Sequence, residues 1–479
     1  MLFNSIEFLI FFPIVFFLYW VAFRNSIKIQ NAFILLASYV FYGWWDWRFL
    51  FLIAFSSLAD YFIGKKLMNV SEHRKRKLLL LLSLGINLGV LGTFKYYNFF
   101  LDNFVDAFEF FGQKLDVNRL DIILPVGISF YTFQTLSYTI DIYRRKINAT
   151  KDILSFAAFV SFFPQLVAGP IERASNLLPQ FKKRRTLSYE QGADGLRQIL
   201  WGLFKKVVIA DNAAVFVNDI FSNYETMPAS ALFIGALLFS FQIYGDFSGY
   251  SDIAIGSARL LGFNLMKNFA FPYFSRDIAE FWRRWHISLS TWFRDYVYIP
   301  LGGSRVARKT AIRNVFIIFI VSGFWHGANW TFIVWGLLNA LYFLPLMLTN
   351  RNRKNLSSIK FKSLVASTRE FLSILGTFGL TTFAWIFFRA DSITHAILYI
   401  KGLWSPSLFQ DPSIKNIGLY WFLLLIFLVT EWIGRHGEHA LDQLANRGNR
   451  VIRWSIYLII IMLISLYKAK SQDFIYFQF

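Results

Sequence analysis

Two histidines are the strongest candidates for proton-transfer chemistry in this chain, and the first is His326. It lies in a run, 314–350, that contains no Lys, Arg, Asp or Glu. At about 1.5 Å per residue this run exceeds the roughly 30 Å apolar core of a bilayer, so we expect two helices or one broken helix, with His326 near the break. An ionisable group at membrane depth is costly and is by default a candidate functional residue.

The chemistry expected of His326 is that of a general base. Burial disfavours a charged imidazolium, and a neutral imidazole can accept a proton from an attacking hydroxyl. A structural histidine, hydrogen-bonded to Ser322 or Asn329 one helical turn away, is an equally open interpretation of these residues.

The second histidine, His286, belongs to a basic and aromatic segment over 267–313, which holds nine Lys or Arg, three acids and eleven aromatic residues. Its apolar residues recur at helical spacing from 278 to 296, which predicts one amphipathic helix at the membrane surface. Ser275 is the expected N-cap and Pro300 the expected end. His286 falls at the edge of the apolar stripe, where an interfacial histidine packed among tryptophans is the plainer interpretation.

The opposite face of this predicted helix is basic, and it carries Arg283, Arg284 and Arg294. Phospholipid headgroups are one expected partner of such a face. A phosphate-bearing acyl donor is the other, because the guanidinium group suits phosphate.

The composition places these residues in a membrane. Hydrophobic residues make up 56% of the chain, aromatic residues 20% and charged residues 16%, against about 25% charged in soluble domains. Apolar runs recur along the whole chain and predict an all-α polytopic protein with about 11 to 12 transmembrane helices, together with interfacial and re-entrant pieces such as 154–169. We expect one membrane domain over 1–479, in which 314–349 is a helix pair carrying His326.

Charge and cysteine content narrow the chemistry further. The net charge of +20 favours basic cytoplasmic loops and anionic lipid or substrate over nucleic acid, and the absence of Lys and Arg before Arg24 predicts an extracytoplasmic N-terminus. Having no cysteine, the chain can form neither disulfides nor thiolate metal sites, and we expect no bound metal. The other histidines, at 73, 395, 436 and 439, lie in charged, loop-like stretches and are expected to be solvated.

Five motifs together resemble the membrane-bound O-acyltransferase (MBOAT) family, and within it the bacterial alginate O-acetyltransferase branch. They are PVGISFYTFQ (125–134), FPQLVAGPI (163–171), DFSGYSD (246–252), the segment 282–303 and GFWHG (323–327). The resemblance implies a ring of helices around a central tunnel. It matches His326 to the family's membrane-embedded histidine and His286 to a second histidine of this branch. Trp285, Trp325 and Asn329 would then shape the site.

The resemblance also implies an activity. It predicts an acyltransferase of the bacterial inner membrane that moves an acetyl group from cytoplasmic acetyl-CoA to an extracytoplasmic polysaccharide, such as alginate or peptidoglycan. An extracytoplasmic partner transferase would relay the group, Arg283, Arg284 and Arg294 would bind the donor, and no resident cofactor is implied. The aromatic tail 471–479 resembles tails of this branch: it is either an interfacial anchor, or Tyr476 accepts the acyl group with His326 as its base.

Three other functions stay open on the sequence. D-alanyl transfer from an acidic carrier protein to teichoic acid would suit the same basic surface. A transporter or lipid flippase would share the hydrophobicity and tolerate loss of the imidazoles. A non-catalytic scaffold for envelope assembly would also keep its function when the histidines are replaced.

Overall fold

Helices make up the regular structure of this chain. The computed structural model describes residues 1–115, 117–356, 364–415, 417–445 and 449–467, and also residues 472, 474 and 475. Within these ranges α-helices are joined by turns and short 3₁₀ or π segments, and no strand occurs. Contacts divide the chain into one unit of residues 1–192 with 257–265, and a second of residues 193–256 with 266–479. The expectation of a single membrane domain stays a prediction.

The first unit contains nine helices among its described residues, and polar groups satisfy one another inside it. The Asp60 carboxylate accepts hydrogen bonds from the Ser83 hydroxyl at 2.6 Å and the Asn87 amide at 2.7 Å, which offsets the cost of burying a charge among apolar helices. The helices are Ile6–Phe17 (α1), Ile27–Asp46 (α2), Leu50–Asn69 (α3), His73–Leu91 (α4), Tyr97–Phe110 (α5), Ile128–Tyr143 (α6), Ile153–Ser161 (α7), Phe163–Leu166 (α8) and Ala174–Phe181 (α9).

The remaining helices form most of the second unit. A π segment, Phe204–Ala210, interrupts the run between the first two of them. They are Tyr189–Leu203 (α10), Asp211–Ser222 (α11), Ala229–Leu260 (α12), Ile278–Arg284 (α13), Ile287–Phe293 (α14), Arg308–His326 (α15), Trp330–Leu348 (α16), Leu364–Arg389 (α17), Ile393–Leu403 (α18), Ile417–Gly434 (α19) and Arg450–Leu466 (α20).

Six helical stretches among the described residues are long and apolar enough to cross a membrane, so this is an all-helical polytopic membrane protein. Two of them, of 43 and 38 residues, exceed the length of about 20 residues that one crossing needs. The expected 11 to 12 spans outnumber these stretches. The six are Ile27–Asn69, His73–Phe110, Ala229–Leu260, Trp330–Leu348, Ser367–Arg389 and Ile417–Gly434.

The structure confirms one predicted helix break and corrects one predicted helix. α15 ends at His326 and α16 begins at Trp330, so the histidine lies at the break, as expected. The single helix expected over 278–296 is wrong: α13 and α14 are separate, because His286 between them has a left-handed backbone with φ of 43°. The N-cap of α13 is Asp277 rather than Ser275, and its carboxylate accepts from the Glu280 amide.

Candidate functional site

A tightly packed helix hairpin positions His326. A Cβ atom added to Gly323 of α15 would collide with the backbone carbonyl of Phe332, and one added to Gly336 of α16 would collide with the carbonyl of Phe319. Small residues are common where helices in membranes approach this closely. The hairpin therefore fixes the end of α15, and with it the backbone of His326.

Aromatic rings enclose the His326 side chain, which is 3% exposed. The centroid of its imidazole lies 4.9 Å from Trp325, 5.2 Å from Trp335 and 5.4 Å from Phe388, each edge to face. Such surroundings exclude water, and they favour a neutral ring over an imidazolium because a charge would lose its hydration.

Asn268 holds the second histidine in place. The Asn268 side-chain oxygen lies 3.1 Å from His286 Nδ1 and accepts from the Ser288 hydroxyl at 2.8 Å. The Asn268 amide nitrogen donates to the Ser251 hydroxyl at 3.0 Å. Since an amide oxygen only accepts hydrogen bonds, His286 Nδ1 carries the proton and Nε2 carries the lone pair when the ring is neutral.

His286 is buried, at 1% exposure. Burial lowers the pKa of its imidazole to about 3, which keeps the ring neutral near pH 7. Phe247 packs edge-on against it with ring centroids 4.6 Å apart. The left-handed backbone at His286 is uncommon for a residue with a side chain and is often found at functional sites.

The structure brings the two sequence-predicted histidines together, with ring centroids 6.5 Å apart. Trp325 lies beside both, at 4.9 Å from His326 and 6.1 Å from His286. Trp285 is buried next to His286 in sequence, and its ring packs 5.1 Å from Trp385. Of the three predicted site-shaping residues, Trp325 contacts both histidines, whereas Trp285 packs on Trp385, which in turn stacks on Trp335 at 5.5 Å.

Asn329, the third of these residues, is directed elsewhere. Its side-chain oxygen accepts from the backbone N–H of Thr331, and its amide nitrogen donates to the carbonyl of Asp391 at 2.9 Å. Its observed role is therefore to cap the N-terminus of α16. These contacts differ from the expected hydrogen bond to His326.

A cavity of about 750 Å³ lies along α15, which is within the usual size range for a ligand pocket. Its lining includes Arg294, Arg308 and Arg353 together with Trp282 and Ser322, and neither histidine belongs to that lining. Ser322 is four residues before the end of α15, so the cavity reaches within one helical turn of His326.

The three predicted donor-binding arginines are not equivalent. Arg294 lines the cavity and pairs with Asp295 at 2.7 Å. Arg284 instead forms an ion pair with Glu280 at 2.6 Å. Arg283 donates to the backbone carbonyls of residues 352 and 355, each at 2.9 Å.

Two of the histidines expected to be solvated are buried, which corrects that expectation. His439 is 2% exposed, and Asp194 pairs with its Nε2 at 3.0 Å, which offsets the cost of burying the ring. His395 is 9% exposed and lies beside Asp391. Asp194, His439 and Asp442 bring three ligand-type atoms within 4.8 Å of one another, and Arg197 also pairs with Asp194 at 3.3 Å. Tyr476, the candidate acyl acceptor, lies outside the described residues.

Several neighbours of the histidines were not found from the sequence. Asn268 lies in the loop before α13, Trp335 in α16, and Trp385 and Phe388 in α17. The sequence signal for Asn268 and Trp335 is weak: Asn268 is one amide residue in a loop, and Trp335 is one more tryptophan in a helix that contains no charge. Arg308 and Arg353 lie in the charged ends that flank the hairpin.

Comparison with known proteins agrees with this geometry. Residues 144–362, which include both histidines, match the model of the membrane-bound O-acyltransferase family. A "probable alginate O-acetylase" of Pseudomonas putida is 35% identical to the chain, with the whole of both proteins covered. A peptidoglycan O-acetyltransferase of Helicobacter pylori is 37% identical, covering 84% of this chain and 80% of that protein.

A more distant relative represents the alternative function. A teichoic acid D-alanyltransferase of Bacillus subtilis is 27% identical over 57% of this chain and 71% of that protein. The identity to the alginate protein over its whole length and to the peptidoglycan protein over most of its length, and the match across the histidine region, show that this chain is an O-acyltransferase of the MBOAT, or membrane-bound O-acyltransferase, family.

Proposed function

We propose that this enzyme takes an acetyl group from acetyl-CoA on the cytoplasmic side and delivers it for O-acetylation of an extracytoplasmic polysaccharide of the alginate or peptidoglycan type. The names of the full-length relatives support the acetyl group and the polymer class. The second candidate, D-alanyl transfer to teichoic acid, has the support of the more distant relative only. A partner transferase outside the membrane completes the proposed route.

The observation that carries the proposal is the buried histidine pair, together with an arginine-lined cavity that reaches Ser322, one helical turn from His326. The ring centroids of the pair lie 6.5 Å apart, so a substrate group bound between them would contact both rings. The cavity arginines suit the phosphates of the donor, because guanidinium groups bind phosphate at two points.

In the proposed reaction His326 removes the proton from the attacking hydroxyl, whose oxygen then forms a bond to the thioester carbonyl carbon. The carbon–sulfur bond breaks, and the departing thiolate takes the proton back from the imidazolium. His286, with its Nε2 lone pair set by Asn268, positions the donor or assists this proton transfer. Trp285 and Trp325 exclude water from the histidine pair, which protects the thioester from hydrolysis.

We further propose that the first acceptor is the hydroxyl of Tyr476, which then passes the acetyl group on. A phenol is a weak nucleophile until a base removes its proton, and His326 supplies that base. The aromatic character of 471–479 supports a tail that can lie among the aromatic rings of the site.

The test uses the full chain in proteoliposomes with acetyl-CoA labelled on the acetyl group. We expect CoA release from the wild type, a loss of at least about 100-fold in His326→Ala, and near wild-type release from His395→Ala, which removes another buried histidine. Label on the protein should disappear in Tyr476→Phe. Normal release by His326→Ala contradicts the base assignment, and full label on Tyr476→Phe contradicts the tyrosine relay.

A further inference from the structure

A buried ion network in the second unit holds the end of the chain. Lys206, in the π segment between α10 and α11, pairs with Asp211 at 2.8 Å and with Asp246 of α12 at 2.7 Å. All three side chains are nearly inaccessible to solvent. Two carboxylates and one ammonium leave a formal charge of −1, so the network needs further hydrogen-bond donors to be stable when buried.

The C-terminal tail supplies such a donor. The backbone N–H of Ile475 donates to Asp246 Oδ2 at 2.7 Å, and Lys206 Nζ donates to the backbone carbonyl of Gln472 at 3.3 Å. Upstream, the Asn212 amide donates to the carbonyl of Tyr467 at 3.0 Å. Residues 467, 472 and 475 are therefore held through their main chain, and the groups that hold residues 472 and 475 are charged and buried.

The same contacts connect the tail to the histidine pair. Phe474 and Ile475 are each 1% exposed. The Phe474 ring lies 6.1 Å from Phe247, which follows Asp246 in α12 and packs 4.6 Å from His286 on centroid distances. One aromatic ring thus separates the anchored tail from the second histidine.

We propose that Lys206 and Asp246 are positioning residues that anchor the C-terminal tail beside the histidine pair. The hydrogen bonds of the anchor are made to the main chain of residues 472 and 475, and the Phe474 ring adds packing against Phe247. The role in catalysis rests on the proposed function, whereas the anchoring itself does not.

Anchoring is tested without activity, by thiol labelling in the full-length chain. The chain has no cysteine, so Ile475→Cys introduces a single thiol. In the otherwise wild-type protein we expect slow maleimide labelling. Adding Asp246→Ala should raise the rate about tenfold or more, the fold-change that corresponds to losing a hydrogen bond to a charged group. Lys206→Met should have the same effect if Asp246→Ala fails to fold.

Asp252→Ala is the matched control. Asp252 lies on the same helix and pairs with the neighbouring buried lysine, Lys205, at 2.6 Å. The Asp252→Ala substitution therefore removes a second lysine–aspartate ion pair of this unit without removing a tail contact seen in the structure. Equal labelling of the Asp246→Ala and Asp252→Ala proteins, or fast labelling of the wild type, would overturn the anchor.

The positioning role is tested by CoA release. Asp246→Ala should lower kcat about tenfold with the KM for acetyl-CoA unchanged, and Asp246→Asn, which keeps an oxygen that can accept from the Ile475 N–H, should recover most of that loss. A raised KM, or an equal loss in Asp246→Asn, would show a structural role alone. If even the wild type releases no CoA, the proposed function fails, and the labelling result still decides the anchor.

Discussion

Replacing Gly323 with alanine tests whether the α15–α16 hairpin sets the position of His326. The added Cβ would overlap the backbone carbonyl of Phe332, with the Phe332 carbonyl carbon at 3.1 Å and the Gly336 Cα at 3.4 Å. These are backbone atoms, so no flexible side chain can yield, and the two helices must separate. Overpacking of this kind costs about 1–3 kcal/mol of stability.

The larger effect should be on catalysis, because His326 follows Gly323 by less than one turn of the same helix. A displacement of a catalytic group by about 1 Å costs about 100-fold in rate. We expect Gly323→Ala to lower kcat for CoA release about 100-fold while the protein still folds, as judged by thermal unfolding in detergent.

The control is Gly379→Ala, in the middle of α17, where an added Cβ meets no atom within 4 Å. That change should keep wild-type activity and raise stability by up to about 1 kcal/mol, because alanine favours helix over glycine. Wild-type kcat and unfolding temperature in Gly323→Ala would refute the close approach of the helices as the device that places His326.

Two further predictions concern pH and donor binding. Burial lowers the pKa of His286 to about 3, so the ring stays neutral in the folded protein, whereas in the unfolded chain it takes up a proton below a pKa near 6.5. The free energy of unfolding should therefore be highest above pH 6.5 and decrease as the pH falls below that value. Wild-type protein should therefore lose about 2 kcal/mol more than His286→Asn between pH 7.5 and 5, measured by thermal unfolding at each pH, and parallel curves would contradict it. Arg294→Gln should raise the KM for acetyl-CoA about tenfold with kcat little changed, and the difference from wild type should shrink at high salt. The control is Arg48→Gln, which changes an exposed arginine paired with Asp46 and should alter neither KM nor kcat.

The sequence predicts the class of fold and the two histidines because both depend on local signals. Apolar runs of membrane length locate most helices, and a histidine in an uncharged run is recognisable as a candidate functional residue. The charge-free run also places the break near His326 correctly. In contrast, helical periodicity over 278–296 continues through residues 285 and 286, so it cannot reveal the left-handed backbone that separates α13 from α14.

The partners of the histidines are beyond the reach of local signals because they come from other segments of the chain. Asn268 lies in a loop between Lys267 and Phe269, and its role appears only when the start of α14 packs against it. His439 has the local surroundings of a solvated residue, and its burial depends on Asp194, 245 positions away. Arg283 and Arg294 have the same residue type and share a predicted face, yet they have different partners, because the break at His286 changes the direction of the chain between them.

Three buried ionisable side chains of the second unit lie where regular helix is interrupted, and the membrane gives a reason. Within an apolar medium, irregular backbone is tolerated only where protein surrounds it or where it lines a cavity. His326 lies at the end of α15, His286 lies between two short helices, and Lys206 lies in a π segment. At each place the backbone leaves its usual hydrogen-bond pattern, so neighbouring polar side chains are needed for stability, and the same side chains are then available for chemistry. Irregular segments with embedded polar residues are therefore where functional residues of such a chain should be sought first.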